Sequence, residues 1–212
     1  MIAKRLVILL AGLVLLACES TYYNAMEKVG IHKRDILVDR VEEASDSQRE
    51  AQEQFRDALS QFRSVVSFDG GDLEKLYNRL NSSYEDSRAA AREISERIEA
   101  VESVAEALFD EWQEELELYS NSRLRADSAA KLRDTQRRYR GLRDSLRRSE
   151  KSLAPVLENL QDNVLYLKHN LNASAISAIK GELATIDRDV TALIATMEAA
   201  IQESEGFIAG LR

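Results

Sequence analysis

The strongest constraint in this sequence is a hydrophobic stripe with a spacing of alternating three and four residues, beginning at Leu73. It runs through Leu73, Tyr77, Leu80, Tyr84, Ser87, Ala91, Ile94, Ile98, Val101, Ala105, Leu108, Trp112, Glu115 and Tyr119, and twelve of these fourteen positions are apolar or aromatic. Side chains at that spacing share one side of an α-helix, so the stripe predicts a single long amphipathic helix. Phase is lost through Ser120-Asn121-Ser122 and regained in a new register from Ser128 and Leu132 through Tyr139, Leu142, Leu146, Ser149, Leu153, Val156, Leu160, Asn163 and Leu167 to Leu171. A phase break at short polar residues predicts a turn between two helices.

Charge points to the same turn. Residues 85–117 hold twelve acidic and three basic side chains, whereas residues 123–151 hold eleven basic and four acidic ones. Folding the chain back near Asn121 lays an acidic helix along a basic one, bringing Glu117 near Arg125, Glu111 near Lys131 and Glu99 near Arg143. Exposed pairs of this kind contribute about 0–1 kcal/mol each, so their collective effect is on register and partner choice.

Two further helices flank this hairpin. One spans about 36–67, with Val38, Val41, Gln48, Phe55, Leu59, Phe62 and Val66 on its stripe and the small residues Ala44, Ala51 and Ala58 beside it. Gly70-Gly71 ends it, and Asp72 is placed to cap the next helix. Pro155 lies inside the third helix, where the unbroken stripe predicts a kink and not a loop. Asn172-Ala173-Ser174 ends that helix, with Ser174 as the cap of a fourth running from about 175 to 208 through Gly181. At 1.5 Å per residue the central helices measure roughly 72 Å and the flanking ones roughly 48 and 52 Å. The expected fold is therefore all-α: an elongated antiparallel helical bundle from which a two-helix coiled-coil arm, about 100–142, projects. Phe109, Trp112, Leu116 and Tyr119 near the arm's end are the candidate partner-binding residues, with closure of the arm or self-association as their alternative role.

The first residues have a different purpose. Lys4 and Arg5 precede an apolar run from Leu6 to Leu16. Eleven residues are too few to span a bilayer, which takes about 20, but they suit the core of a secretion signal. Leu15-Leu16-Ala17-Cys18 resembles the bacterial lipobox at all four positions. That resemblance implies cleavage after Ala17 and lipidation of Cys18, the one cysteine of the chain; Glu19 in place of aspartate then favours the outer membrane. The expected organisation is a signal peptide over 1–17, a tether over 18–35 and one helical domain over 36–212.

Composition excludes several classes. One cysteine and two histidines (His32 and His169) do not make a thiolate or imidazole metal cage. No glycine-rich phosphate loop, serine elbow or metalloprotease helix motif is present. No catalytic residue, cofactor or metal is expected. A formal charge of −8 argues against general nucleic-acid binding. The basic run from Arg137 to Arg148 supports nucleic-acid binding or repair as an alternative, against neutralisation by the acidic second helix. An envelope enzyme using bundle carboxylates such as Glu111, Glu114 and Glu115 is a second alternative.

Finally, Pro155-Val156-Leu157, Asp162-Asn163-Val164-Leu165 and Leu167-Lys168-His169-Asn170-Leu171-Asn172-Ala173, with Phe109-Asp110-Glu111-Trp112 and Tyr119-Ser120-Asn121, resemble an uncharacterised proteobacterial family of helical lipoproteins, domain of unknown function 2959. The likeness covers most of the mature chain and implies no activity. The combined expectation is a non-catalytic binding or scaffolding protein held on the outer membrane by lipid on Cys18, facing the periplasm. It would meet an envelope protein or a second copy of itself.

Overall fold

The computed structural model describes residue 30 and residues 32–212. The signal segment, Cys18 and most of the expected tether lie outside the described residues. Five α-helices follow one another: α1 (Lys33–Val66), α2 (Leu73–Glu115), α3 (Ser122–His169), α4 (Ala173–Lys180) and α5 (Leu183–Leu211), with a 3-10 turn at Leu116–Leu118. The fold is an all-α bundle. Helices α1, α2, α3 and α5 run alternately down and up, each packed against the next, with α5 closing the ring against α1. The short α4 leads into α5 at one end of this ring and packs on α1 and α3.

Local chemistry sets the boundaries. Gly70 and Gly71 have φ of +145° and +109°, values a side chain disfavours, and they stop α1 from continuing. The Asp72 carboxylate accepts from Lys75 N at 3.0 Å, satisfying one of the free amides at the start of α2. Asn121 does the same for α3 with two bonds, from Arg123 N and Leu124 N at 3.0 and 3.2 Å. Helix α3 continues through Pro155.

Two expectations at the other end are corrected. The cap of α4 is Asn172, whose side chain accepts from Ala175 N at 3.0 Å, and not Ser174. The expected single last helix is interrupted at Gly181-Glu182, where the Gly181 and Glu182 amides turn back to the carbonyls of Ala178 and Ile179. The apolar stripe stays in phase across this interruption, which is why periodicity alone did not locate it.

The core follows the stripes closely. Leu80, Tyr84, Ser87, Ala91, Ile94, Ile98, Val101, Ala105 and Leu108 of α2 are buried, as are Leu142, Leu146, Leu153, Leu160 and Leu167 of α3. Ala44, Ala51 and Ala58 of α1 are almost wholly enclosed, as small residues at a close helix approach should be. One layer is polar: Ser149 Oγ donates to Gln48 Oε1 at 2.7 Å, crossing the core from α3 to α1. Gln48 Nε2 and the neighbouring Ser45 Oγ are buried with no hydrogen-bond partner.

An arm projects, but it is shorter than the expected 100–142. Lys33, at the start of α1, donates to Glu111 Oε1 at 3.0 Å. Gly210, at the end of α5, lies against the Arg138 guanidinium. Both lateral helices therefore climb well past residue 100, and the two-helix portion reduces to about 112–134. The physical reason is visible along α2. Besides the seam residues Val101, Ala105 and Leu108, it buries Val104 and Phe109. A helix paired on one side needs only the seam, and a wider stripe marks a second neighbour. Likewise α1 begins at Lys33, so residues 33–35 are helix and not tether.

Candidate functional site

The sequence offers the arm end as a candidate partner site, with closure of the arm or self-association as the alternative. The structure divides the residues of that site. Phe109 is buried, its ring packed edge-on to Tyr139 at 5.4 Å; Tyr139 in turn meets Phe207 at 6.2 Å, joining α2, α3 and α5. Leu116 is buried beneath the turn. Trp112 is partly covered, and its Nε1 donates to Ser128 Oγ at 2.8 Å, tying the two helices of the arm together. Of the four candidates only Tyr119 is exposed. Phe109 thus lies within the bundle, while Trp112 and Leu116 pack inward within the arm.

The accessible apolar surface lies one step further out. Residues 117–127 are all exposed. Among them Leu118 is 82% exposed, Leu124 50% and Tyr119 41%. The α2 stripe reaches Tyr119, but Leu118 and Leu124 lie off both seams, and only the turn geometry reveals their exposure. A second exposed apolar group, Leu165, Tyr166 and Leu171, sits at the opposite end of the bundle.

Below the tip, where α1 and α5 stop, lies an open groove of about 510 Å³. Arg34, Glu111, Trp112, Lys131, Arg138 and Leu211 contribute to its walls. The charges there are engaged with one another: Lys33 with Glu111, Lys131 with Asp127 at 2.9 Å, and Arg138 with Asp134 at 2.9 Å. The groove is open to solvent and mixes charged side chains with the Trp112 ring and Leu211.

The acidic-on-basic pairing between α2 and α3 is present, in a different register from the one a symmetric fold-back predicts. Glu117 pairs with Arg125 as expected. Glu111 turns to Lys33 instead of Lys131, which pairs within α3 with Asp127. Arg143 pairs with Asp144 instead of Glu99, and it is Arg147 that crosses to α2, bonding Glu102 while also holding Glu150. Those hydrogen bonds, Glu102 first and Glu150 second, hold the Arg147 guanidinium even more firmly protonated than usual. The correction comes from α1, which supplies Glu111 with a buried lysine that the two-helix reading had not placed there.

The remaining candidates separate in the same way. Within the basic run, Arg137 and Arg138 are both bound by Asp134, and Tyr139 is buried. Burial, followed by the nearby Glu102 carboxylate, raises the Tyr139 hydroxyl to about 12. Arg140 and Arg148 of the same run are exposed. His32 and His169 are exposed at opposite ends of the bundle and share no site. Among the described residues, no group of three or more His, Cys, Asp and Glu is placed to hold a metal, and no helix is long and apolar enough to cross a membrane. Asn170 and Asn172 are structural, Asn170 Nδ2 donating to Tyr166 O at 2.9 Å.

Against known proteins, the family model described as Protein of unknown function (DUF2959) matches residues 22–211. No curated protein matches the chain.

Proposed function

The chain belongs to the DUF2959 family, and on that premise we propose that it is a lipid-anchored, non-catalytic binding or scaffolding protein of the bacterial envelope. In this reading it is held on the outer membrane through Cys18, and its helical body stands in the periplasm. The observation that carries the reading is Leu15-Leu16-Ala17-Cys18 closing an apolar run of signal length. Cysteine in that position supplies the one thiol that can take a lipid, and several acyl chains at about 0.8 kcal/mol per buried methylene hold a protein stably.

The body suits a spacer. Helix α3 has 48 residues, so the molecule is roughly 72 Å long. Exposed apolar side chains stand at both ends of the body and offer places where a partner is met. That partner is an envelope protein or a second copy of this chain.

Replacing Cys18 with serine tests the reading. Wild-type protein is expected in the outer-membrane fraction and resistant to salt extraction, and C18S protein is expected to be uncleaved or released. If the C18S protein is processed and retained as wild type is, the anchor reading is wrong.

A further inference from the structure

We propose that the tip of the arm, Leu118, Tyr119 and Leu124, contacts the lipid surface on which the chain is anchored. This inference rests on the lipid-anchor reading and adds an orientation and a lipid-contact site to it.

The placement follows from where the described body begins. Lys33 lies beside Glu111, ten residues short of Asn121, so the chain enters the bundle within roughly 15 Å of the tip. Helix α1 then runs 34 residues away from that end, placing the far end of the bundle roughly 51 Å from the entry point. Fourteen residues lie between Cys18 and Lys33. Fully extended, they reach at most about 3.3–3.6 Å each, or roughly 50 Å. The far end could meet the bilayer only with this segment stretched to its limit, whereas the tip is reached with the segment spanning far less than that.

The chemistry of the tip fits an interfacial contact. Leu118 and Leu124 present aliphatic side chains at 82% and 50% exposure, and Tyr119 adds a ring with a polar end, the kind of side chain that prefers the boundary between headgroups and hydrocarbon. Glu117 and Arg125 are paired, so with Arg123 the residues 117–125 bring a single net positive charge to the surface. Two leucines and a tyrosine bind lipid weakly by themselves. Tethering the tip close to the bilayer raises its effective concentration and makes the contact persistent.

Lipidated Cys18 carries no free thiol, so one introduced cysteine can be labelled selectively. The lipidated protein is reconstituted into phosphatidylethanolamine–phosphatidylglycerol vesicles with an environment-sensitive dye on Ser120→Cys, or on Tyr166→Cys at the far end. The expected result is a blue-shifted emission at position 120, quenched by spin-labelled acyl chains and lost in Leu118→Asp/Leu124→Asp, with the dye at 166 in water throughout. All these positions but Ser120 have large exposed side chains, and Ser120 lies in the exposed turn, so the variants should melt as the parent does. A lipidated chain whose label at 120 stays in water, or is quenched no more than that at 166, overturns the tip contact alone. A label shielded in native envelopes but not in vesicles assigns the tip to a protein and also overturns it. Absence of lipid mass on Cys18 overturns the anchor reading and this inference with it.

Discussion

The two ends of the bundle both expose apolar side chains, yet they are built differently. At the arm end, everything inward of Leu116 is tied down: Trp112 by Ser128, Phe109 by Tyr139, and the start of α1 by the Lys33–Glu111 pair. The exposed residues there sit on one tight turn capped by Asn121. At the opposite end two connections meet, the glycine turn at 70–71 and the Asn172-capped α4, and the exposed Leu165, Tyr166 and Leu171 lie along the end of α3 and its connection. One end is a point on a two-helix stem and the other a broad face. A point suits insertion into a boundary layer, and a face suits packing against another surface.

The sharpest way to break this comparison is to show that exposed apolar residues carry the fold. Ile94→Ala and Leu142→Ala, both at fully enclosed positions, are expected to cost about 2–5 kcal/mol in urea unfolding. Leu118→Ala at the tip and Tyr166→Ala at the base should each change stability by less than about 0.5 kcal/mol. A large loss at either end would mean that its apolar group is part of the core.

The polar layer between the ends comes next. Ser149→Ala leaves Gln48 Oε1 without its donor and should cost about 1–3 kcal/mol. Adding Gln48→Met removes the remaining amide and should restore most of that loss, because Gln48 Nε2 is already unpartnered. If the double variant is no better than the single, the layer contributes through packing and not through its hydrogen bond.

The aromatic junction beneath the arm gives a pH test. The Tyr139 hydroxyl ionises near 10 when the chain is unfolded and at about 12 when folded. Its contribution is complete below pH 10 and is lost as pH rises towards 12, because the unfolded chain releases the proton first. Tyr139→Phe should therefore match the parent at pH 7 and exceed it by about 1.4 kcal/mol at pH 11. Equal alkaline losses in the two proteins would place the ring in water. A smaller effect is expected at the caps: Asn121→Ala should cost about 1 kcal/mol and speed amide exchange in the first turn of α3.

Much of this architecture is legible in the sequence. Two long stripes with a phase break at Ser120-Asn121-Ser122 located the hairpin to within a few residues, since periodicity and cap chemistry are local properties. Arm length was not legible, because it depends on how far α1 and α5 climb, and helix lengths alone do not fix where two helices stand relative to each other. Val104 and Phe109, apolar and off the seam, carried the missing signal. The same gap moved the candidate surface: Phe109 and Leu116 are apolar near a tip, and only packing shows that they point inward while Leu118 and Leu124 point out. Asn172 and Ser174 are both good caps by residue type, and the choice between them was settled by where the α3 backbone ends.

The most direct test of the central claim is the mass of the N-terminal peptide from protein isolated with the outer membrane. The account predicts that it begins at Cys18 and carries a diacylglyceryl group and an amide-linked acyl chain. A peptide beginning elsewhere, or a Cys18 with an unmodified thiol, would contradict it.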